Sequence, residues 1–282
     1  MRSLWLLLVL AAGCDRVLGL QRNPDPVDAG VDSDVDAPPL VKPGYITPGD
    51  YDLDDKPNAT DPCPMHGGSG QDDDPDMDGV GAACDPNESV GASPNCILLF
   101  DTFVRGEGAD RWSSPQTWSR DCDNDTYLCS PAGFESSYLI FNQPLDVLVV
   151  GLEAKIASST SLGSGFYVLP NAEAANNAVS GRGCGLVRVN TSSWALDFED
   201  FVASSAPMAV TGAPNDYLPN QTNFGLASSP PDGCRETYPS PRMIQRATTP
   251  LPGTRVALYA YKANARVKYV VAYGVGDACK PR

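Results

Sequence analysis

The chain has 282 residues and a formal net charge of -15, from 20 basic and 35 acidic side chains. Residues 1–99 carry 5 basic and 18 acidic side chains, a net of -13, whereas residues 100–282 carry 15 and 17, a net of -2. Neither part contains a basic stripe that would attract phosphate groups, so the composition argues against nucleic-acid binding.

The N-terminus has the form of a secretory signal. A short basic head precedes the apolar run Leu4–Ala12, which ends at a small residue, Gly13. Because a membrane-spanning helix needs about 20 apolar residues, the run predicts a cleaved signal peptide over residues 1–13. The string Leu10-Ala11-Ala12-Gly13-Cys14 resembles the lipobox of bacterial lipoproteins. That resemblance implies cleavage before Cys14 and lipidation of its sulfur; an ordinary signal peptide with a chance cysteine is the alternative.

A lipidated Cys14 predicts an exported protein of the cell envelope, attached to a membrane through its acyl chains. We expect the outer membrane or the cell surface. Asp15 follows the cysteine, and in enterobacteria an aspartate there tends to retain lipoproteins at the inner membrane, so that alternative stays open.

Residues 14–60 predict a disordered, extended linker. Residues 21–62 contain ten aspartates and eight prolines with almost no apolar periodicity. Such a stretch buries too little surface to offset its ordering entropy, and proline and like charges extend it. A specific acidic tail for a partner is the alternative.

Eight cysteines follow Cys14, an even number that predicts a disulfide framework in an exported chain. A zinc site is the competing interpretation, but no C-x2-C pair occurs and His66 is the only histidine. The candidates are Cys63, Cys84, Cys96, Cys122, Cys129, Cys184, Cys234 and Cys279.

Alternating aspartates precede a glycine between Asp74 and Gly79. A hard cation such as Ca2+ needs this pattern, because oxygen ligands converge from positions 1, 3 and 5 and glycine at position 6 permits a sharp turn. Counted from position 1, the expected ligands are Asp74, Asp76, Asp78, the Val80 carbonyl and Asp85. We predict a calcium-binding loop over residues 61–88, with a Kd of about 10⁻⁴ to 10⁻³ M. The alternative interpretation is that these residues simply continue the acidic linker.

The segment Asp61–Asp85 resembles a thrombospondin type-3 repeat. The resemblance implies calcium coordination by these aspartates and disulfide bonding of the flanking cysteines, Cys63 and Cys84. The family usually has an aspartate where Ala82 stands. Position 9 of related loops often coordinates through water, so its loss weakens the predicted site without abolishing it.

Residues 96–282 predict an all-β domain, a β-sandwich or jelly roll. Short strands are separated by turn residues, no amphipathic helix of useful length occurs, and Val267, Tyr269 and Val271 alternate with more polar neighbours. Ser204–Thr249 predicts variable surface loops. The predicted strands cover Ile97–Phe100, Leu145–Ile156, Gly165–Leu169, Cys184–Asn190, Ser193–Phe198, Thr254–Tyr261 and Ala265–Tyr273.

The opening Leu99-Phe100-Asp101-Thr102-Phe103 and the closing run from Pro252 to Gly274 resemble the concanavalin A-like, laminin-G-like jelly-roll superfamily. In that superfamily the first and last strands lie side by side, which favours a bridge between Cys96 and Cys279. The remaining pairs are then Cys122 with Cys129 and Cys184 with Cys234, one of fifteen connectivities for six cysteines.

Glycoside hydrolases of the laminarinase type belong to the same superfamily and typically carry an E-x-D-x-E or E-x-D-x-x-E strand. The nearest match is Leu196-Asp197-Phe198-Glu199-Asp200, in which Asp197 and Glu199 share a strand face but the third acid is missing. No Gly-x-Ser-x-Gly elbow occurs. We therefore expect no catalytic residues and a non-catalytic protein; a glycoside hydrolase with an atypical active site is the alternative.

These features predict a lipid-anchored, calcium-binding protein of the cell envelope that binds a glycan or a surface protein, and no nucleic acid. Carbohydrate is the leading ligand, since sandwiches of this type often bind sugars on a concave face or with rim loops. Aromatic side chains would supply stacking platforms, with core packing as the alternative for each. The candidates are Trp112, Trp118, Tyr138, Phe166, Tyr167 and Trp194.

Overall fold

A computed structural model of the chain describes most of the sequence from Tyr45 onward. The predicted signal peptide, Cys14 and the linker up to residue 44 lie outside the described residues. Within the described part, no helix has the length and apolar character needed to cross a membrane. The described ranges are 45–68, 70, 73–86, 94–103, 109–122, 127–206, 214–215, 217, 219, 223–229, 233–239, 241–245 and 253–279.

The described residues form two β-sheets and two short 3-10 helices, Ala109–Arg111 and Gly276–Cys279. Sheet A has nine strands, with β1-β2-β16-β7-β12-β13-β14 as its main path and β5 and β4 added beside β16. Its strands are β1 (Tyr45–Ile46), β2 (Asn95–Asp101), β4 (Ser119–Cys122), β5 (Tyr127–Cys129), β7 (Val149–Ser159), β12 (Phe224–Ser229), β13 (Gly233–Tyr238), β14 (Arg242–Gln245) and β16 (Ala263–Val275).

Sheet B has seven strands in the order β11-β10-β9-β8-β15-β6-β3, all antiparallel. They are β3 (Trp112–Ser113), β6 (Ser136–Phe141), β8 (Gly165–Ala175), β9 (Ala178–Arg188), β10 (Trp194–Phe201), β11 (Pro214–Asn215) and β15 (Arg255–Tyr261). The predicted all-β jelly-roll sandwich is therefore confirmed, and β2 and β16, the first and last strands of the sandwich, pair directly, with Phe100 opposite Val271.

The main core lies between the sheets and follows from strand alternation. In β7, every second residue from Val150 to Ile156 is buried against the core, and its neighbours are half-buried. Phe166 and Val168 of β8 meet these side chains from sheet B. Successive side chains of a strand point to opposite faces, so the residues that alternate with the core residues line the outer face of sheet B. They are Tyr167 and Leu169 of β8 and Ala257, Tyr259 and Tyr261 of β15.

The N-terminal segment, residues 45–86, covers the outer face of sheet A. Cys63, Val80 and Cys84 are buried against strand residues such as Phe100 and Tyr269. β1 joins β2 as a parallel strand. Residues 45–60, which the sequence predicts to belong to a disordered linker, are in contact with the sandwich in the structure. Ile46 and Tyr51 pack on the outer face of sheet A and Tyr45 packs against the main core, whereas Leu53 is 83% exposed.

The eight cysteines that follow Cys14 form four disulfides, and all four lie within the described residues. The bonded pairs are Cys63–Cys84, Cys96–Cys279, Cys122–Cys129 and Cys184–Cys234. The second of these closes the sandwich at the free ends of β2 and β16 across a sequence separation of 183 residues. Disulfides persist in oxidising compartments, so the four bonds are typical of an exported protein.

Candidate calcium centre and sandwich face

The loop predicted to bind calcium, residues 74–85 (called the calcium loop below), begins with three carboxylates that lie together. Asp74, Asp76 and Asp78 offer oxygen atoms within 4.8 Å of one another. The two oxygens of Asp74 accept hydrogen bonds from the backbone N–H groups of Asp78 at 3.1 Å and Gly79 at 2.7 Å. Gly79 has a φ of 90°, which glycine adopts without strain. The turn expected at position 6 is therefore present.

Burial and mutual repulsion make this group of carboxylates costly in the absence of a cation. Burial, followed by the charges of Asp78 and Asp85, raises the pKa of Asp76 to about 6. The Oδ1 atom of Asp76 is completely buried and has no hydrogen-bond partner. Burial also raises the pKa of Asp78. A carboxylate oxygen left without a partner inside an acidic group matches what a bound divalent cation would satisfy.

Asn95, the first residue of β2, connects the calcium loop to the sandwich. Its backbone N–H donates to Asp78 Oδ2 at 2.5 Å and its Nδ2 donates to Asp85 Oδ1 at 2.6 Å. Both Asn95 and Asp85 are 0% exposed. The Oδ1 atom of Asn95 has no hydrogen-bond partner, so it is a further oxygen ligand candidate beside the carboxylates. Sequence reasoning missed it, because Asn95 lies outside the twelve positions of the loop.

The predicted ligands are thus largely brought together. Asp85 lies close enough to Asp76 to raise its pKa and shares Asn95 with Asp78. Val80 is 1% exposed, and its N–H donates to Asp78 Oδ1 at 2.9 Å. The arrangement offers only oxygen donors, which favours calcium or magnesium over zinc.

A row of polar and aromatic residues crosses the outer face of sheet B. The strand registers place Tyr138, Tyr259, Tyr167, Gly185 and Asp197 side by side on neighbouring strands. The Tyr167 hydroxyl donates to Asp197 Oδ2 at 2.9 Å. It reaches across the strand between them because Gly185 has no side chain, and a Cβ there would overlap the Tyr167 ring.

Glu199 lies two residues after Asp197 on β10, so both carboxylates belong to this outer face. They are 7% and 4% exposed, respectively. Tyr167 and Phe201 are in edge contact with ring centroids 4.7 Å apart, and Phe201 also contacts Tyr259 at 4.9 Å. The face therefore combines two acids with three packed aromatic rings.

The segment 202–205 reaches over this face. The Tyr259 hydroxyl donates to the carbonyls of Ser204 at 3.0 Å and Ser205 at 2.9 Å. The backbone of Ser204 also donates to Val179 O at 2.7 Å. The row is buried, with Tyr167 at 0% and Asp197 at 4% exposed.

The six aromatic candidates from the sequence separate into two groups. Trp112, Phe166 and Trp194 are buried in the core between the sheets, and Trp118 packs against that core. The rings of Trp112, Phe166 and Trp194 therefore pack the core and are not stacking platforms for a sugar. Tyr138 and Tyr167 lie on the outer face of sheet B, and they are the ones placed beside the carboxylates.

No protein-family model matches the chain, and no curated protein does. Solved structures similar to it include the Bacillus licheniformis β-glucanase, at 10% identity and a TM-score of 0.40, covering 69% of this chain and 100% of that one. The exoplasmic/lumenal domain of VIP36, in a form bound to Ca2+ and Man3GlcNAc, matches at 9% identity and a TM-score of 0.44, covering 58% and 84%. The carbohydrate recognition domain of Emp46p matches at 11% and 0.42, covering 62% and 95%.

These similarities correct one prediction. The expectation of a non-catalytic protein is wrong as stated, because the similar structures include a native glycosidic hydrolase and a β-glucanase beside the carbohydrate recognition domain. With identities of 9–11% and TM-scores of 0.40 to 0.44, the similarities assign neither a family nor an activity to this chain.

Proposed function

We propose that this chain is an exported calcium-binding protein whose calcium loop is joined to a β-sandwich that binds carbohydrate. The observation that carries the calcium assignment is the buried, partnerless Oδ1 of Asp76 among carboxylates within 4.8 Å of one another. The ligands are Asp74, Asp76, Asp78 and Asp85, with Val80 and Asn95 contributing amide oxygens.

In this proposal, calcium is a structural ion. The loop is joined to β2 through Asn95, and its disulfide to Cys63 is buried against the outer face of sheet A. A cation that neutralises the buried carboxylates removes their mutual repulsion. The ion therefore stabilises the packing of residues 45–86 on the sandwich.

Calcium titration of the full chain by calorimetry tests this part. Asp76→Ala removes the partnerless carboxylate and is expected to lower calcium affinity at least tenfold. Asp73→Ala is the matched control, because Asp73 is an exposed acid of the same turn that lies outside the group of three. Equal affinities for the two variants would contradict the assignment.

Carbohydrate is the proposed ligand of the sandwich, and the outer face of sheet B is the proposed contact surface, which becomes accessible when residues 202–205 move away from Tyr259. Tyrosine rings and carboxylates supply the apolar faces and the hydrogen-bond acceptors that binding sites for polar small molecules combine. Binding of a glycan array by the wild type, and its loss in Asp197→Asn, would support the site. Glu173→Gln, an exposed acid on β8 of the same sheet, is the control, and equal loss in it would count against the site.

A second candidate function, glycosidic-bond hydrolysis, is favoured by the two carboxylates on one strand face. Two residues along a strand correspond to about 6.6 Å, close to the separations of carboxyl pairs in glycosidases. Release of reducing sugar from β-glucans, abolished in the Asp197→Asn/Glu199→Gln variant and retained in Glu173→Gln, would establish it. If the wild type releases no reducing sugar from β-glucans, hydrolysis of these substrates is contradicted and only the carbohydrate-binding proposal remains.

Membrane attachment through Cys14 is proposed on the lipobox-like string alone. Fractionation of expressing bacterial cells tests it. The wild type is expected in the membrane fraction and Cys14→Ala in the soluble fraction. Identical distribution of the two would rule out the acyl anchor.

A further inference from the structure

Three side chains meet at one carboxylate oxygen on the outer face of sheet A. The Lys268 ammonium lies 2.6 Å from Oε1 of Glu153, and Nδ2 of Asn223 donates to the same oxygen at 2.7 Å. The three residues come from β16, from β7 and from the position just before β12. An amine and a carboxamide that contact one oxygen are held side by side, and such proximity makes a reaction between two groups effectively unimolecular.

A β-bulge in β16 determines where Lys268 lies. In the pairing of β16 with β7, Val267 is opposite Ala154 and Tyr269 is opposite Glu153, with a register shift between them. Lys268 is therefore the extra residue of the bulge. Bulges redirect side chains and are frequent beside functional sites. The contact between Lys268 and Glu153 is thus set by the backbone of the sheet.

The contact is partly shielded from water by aromatic rings. The side chain of Glu153 is 16% exposed and that of Lys268 is 31% exposed. Burial, followed by the charge of Glu153, raises the pKa of Tyr51 and of Tyr269, which places both tyrosines close to the carboxylate. Partial removal of water strengthens the polar interactions within the group.

The side-chain amide of Asn223 is held at both of its polar atoms. Nδ2 donates to Glu153, and Oδ1 accepts a hydrogen bond from the Tyr127 hydroxyl at 3.4 Å. When an amine attacks an amide carbon, negative charge develops on the amide oxygen, and a donor placed there stabilises that charge. The amide of Asn223 is therefore oriented and polarised for attack by the neighbouring amine.

We propose that Lys268 and Asn223 form an intramolecular isopeptide bond, with Glu153 as the catalytic acid and base. The new bond joins Nζ of Lys268 to Cγ of Asn223. It would connect β16 to the start of β12 across β7. The proposal is independent of calcium and carbohydrate binding, because it uses none of the residues assigned to those sites.

The reaction balances without any further reactant. Glu153 takes a proton from the Lys268 ammonium, and the neutral amine attacks Cγ of Asn223. The bond between Cγ and Nδ2 breaks as the bond between Nζ and Cγ is completed. Glu153 carries two protons in turn from Nζ to Nδ2, which leaves as ammonium, and Glu153 ends as the carboxylate it was at the start. No atom is oxidised or reduced.

Tryptic peptide mapping of the full chain, after reduction of its disulfides, tests the proposal. Trypsin does not cleave after an acylated lysine, so the wild type is expected to yield residues 189–235 joined to residues 267–282. The mass of the joined pair should be lower than the sum of its two parts by one ammonia and one residual charge-neutral adjustment of zero, because only ammonia leaves. Separate fragments 189–235 and 269–282 in the wild type would overturn the inference.

Two variants test the roles of the residues. Lys268→Arg removes the attacking amine and Glu153→Gln removes the proton carrier, so both are expected to yield the separate fragments. Lys262→Arg is the matched control, because Lys262 also lies beside a glutamate, 3.3 Å from Oε1 of Glu135, and it should retain the joined pair. Loss of ammonia from residues 189–235 that persists in Lys268→Arg would contradict the bond, and a joined pair in Glu153→Gln would contradict the role of Glu153.

Discussion

Single side chains on the outer face of sheet B determine how its buried acids are held. The Tyr167 hydroxyl donates to Asp197 at 2.9 Å, and Tyr167 is 0% exposed. Burial and the Asp197 charge raise the pKa of Tyr167 well above its usual range, so the hydroxyl stays protonated and remains a donor.

Tyr167→Phe is expected to lower the free energy of unfolding by about 1–3 kcal/mol, because a buried carboxylate loses a donor. Denaturant unfolding of the full chain measures the change. Tyr138→Phe is the matched control in the same row of the sheet, and its hydroxyl makes no hydrogen bond to a buried acid in the described structure. A loss as large in the control would mean that removal of a tyrosine hydroxyl from this row, and not the bond to Asp197, sets the cost.

Most of the metal-ligand candidates of the calcium loop were predictable from the sequence. Asp74, Asp76 and Asp78 precede Gly79, and the spacing alone identifies them. Asn95 was not predictable, since its role depends on the packing of β2 against the loop.

At the scale of strands, the disulfides connect elements over very different sequence distances. Cys96–Cys279 spans 183 residues and Cys122–Cys129 spans 7. In the chain-entropy model, closing the long loop stabilises by about 5 kcal/mol and closing the short one by about 2 kcal/mol.

Replacing both cysteines of the long loop by alanine is therefore expected to destabilise the fold by about 3 kcal/mol more than the same change in the short loop. Denaturant unfolding of Cys96→Ala/Cys279→Ala and of Cys122→Ala/Cys129→Ala makes the comparison. Equal losses would show that local packing outweighs the constraint on the unfolded chain.

The strands that sequence reasoning found are those with apolar alternation or long apolar runs, such as β7 and β16. β12, β13 and β14 fall within Ser204–Thr249, which reads as surface loops because serine, proline and glycine are frequent there. Their pairing is long-range: β12 lies beside β7, with Leu226 opposite Leu152. A local pattern does not contain that partner.

At the scale of the whole molecule, the N-terminal segment packs on the sandwich. The hydrogen bonds between the two include the buried acids Asp78 and Asp85. Removal of calcium with a chelator is expected to loosen residues 45–86 from sheet A, because repulsion between the buried carboxylates is restored.

Limited proteolysis followed by mass spectrometry checks this expectation. With chelator, cleavage should appear first within residues 45–86 and leave the sandwich intact; added calcium should restore protection. A cleavage pattern that is the same with and without calcium would contradict a stabilising role for the ion.

The order of covalent links along the chain also has a mechanical consequence. Tension applied on the N-terminal side of Tyr45 first loads the two-residue pairing of β1 with β2, which offers little resistance. The Cys63–Cys84 bond passes the load directly to Cys84, so the residues between these two cysteines do not extend, and the Cys96–Cys279 bond does the same for the residues of the sandwich. A pull from this side therefore lengthens the chain by a short, fixed amount and leaves the sandwich closed.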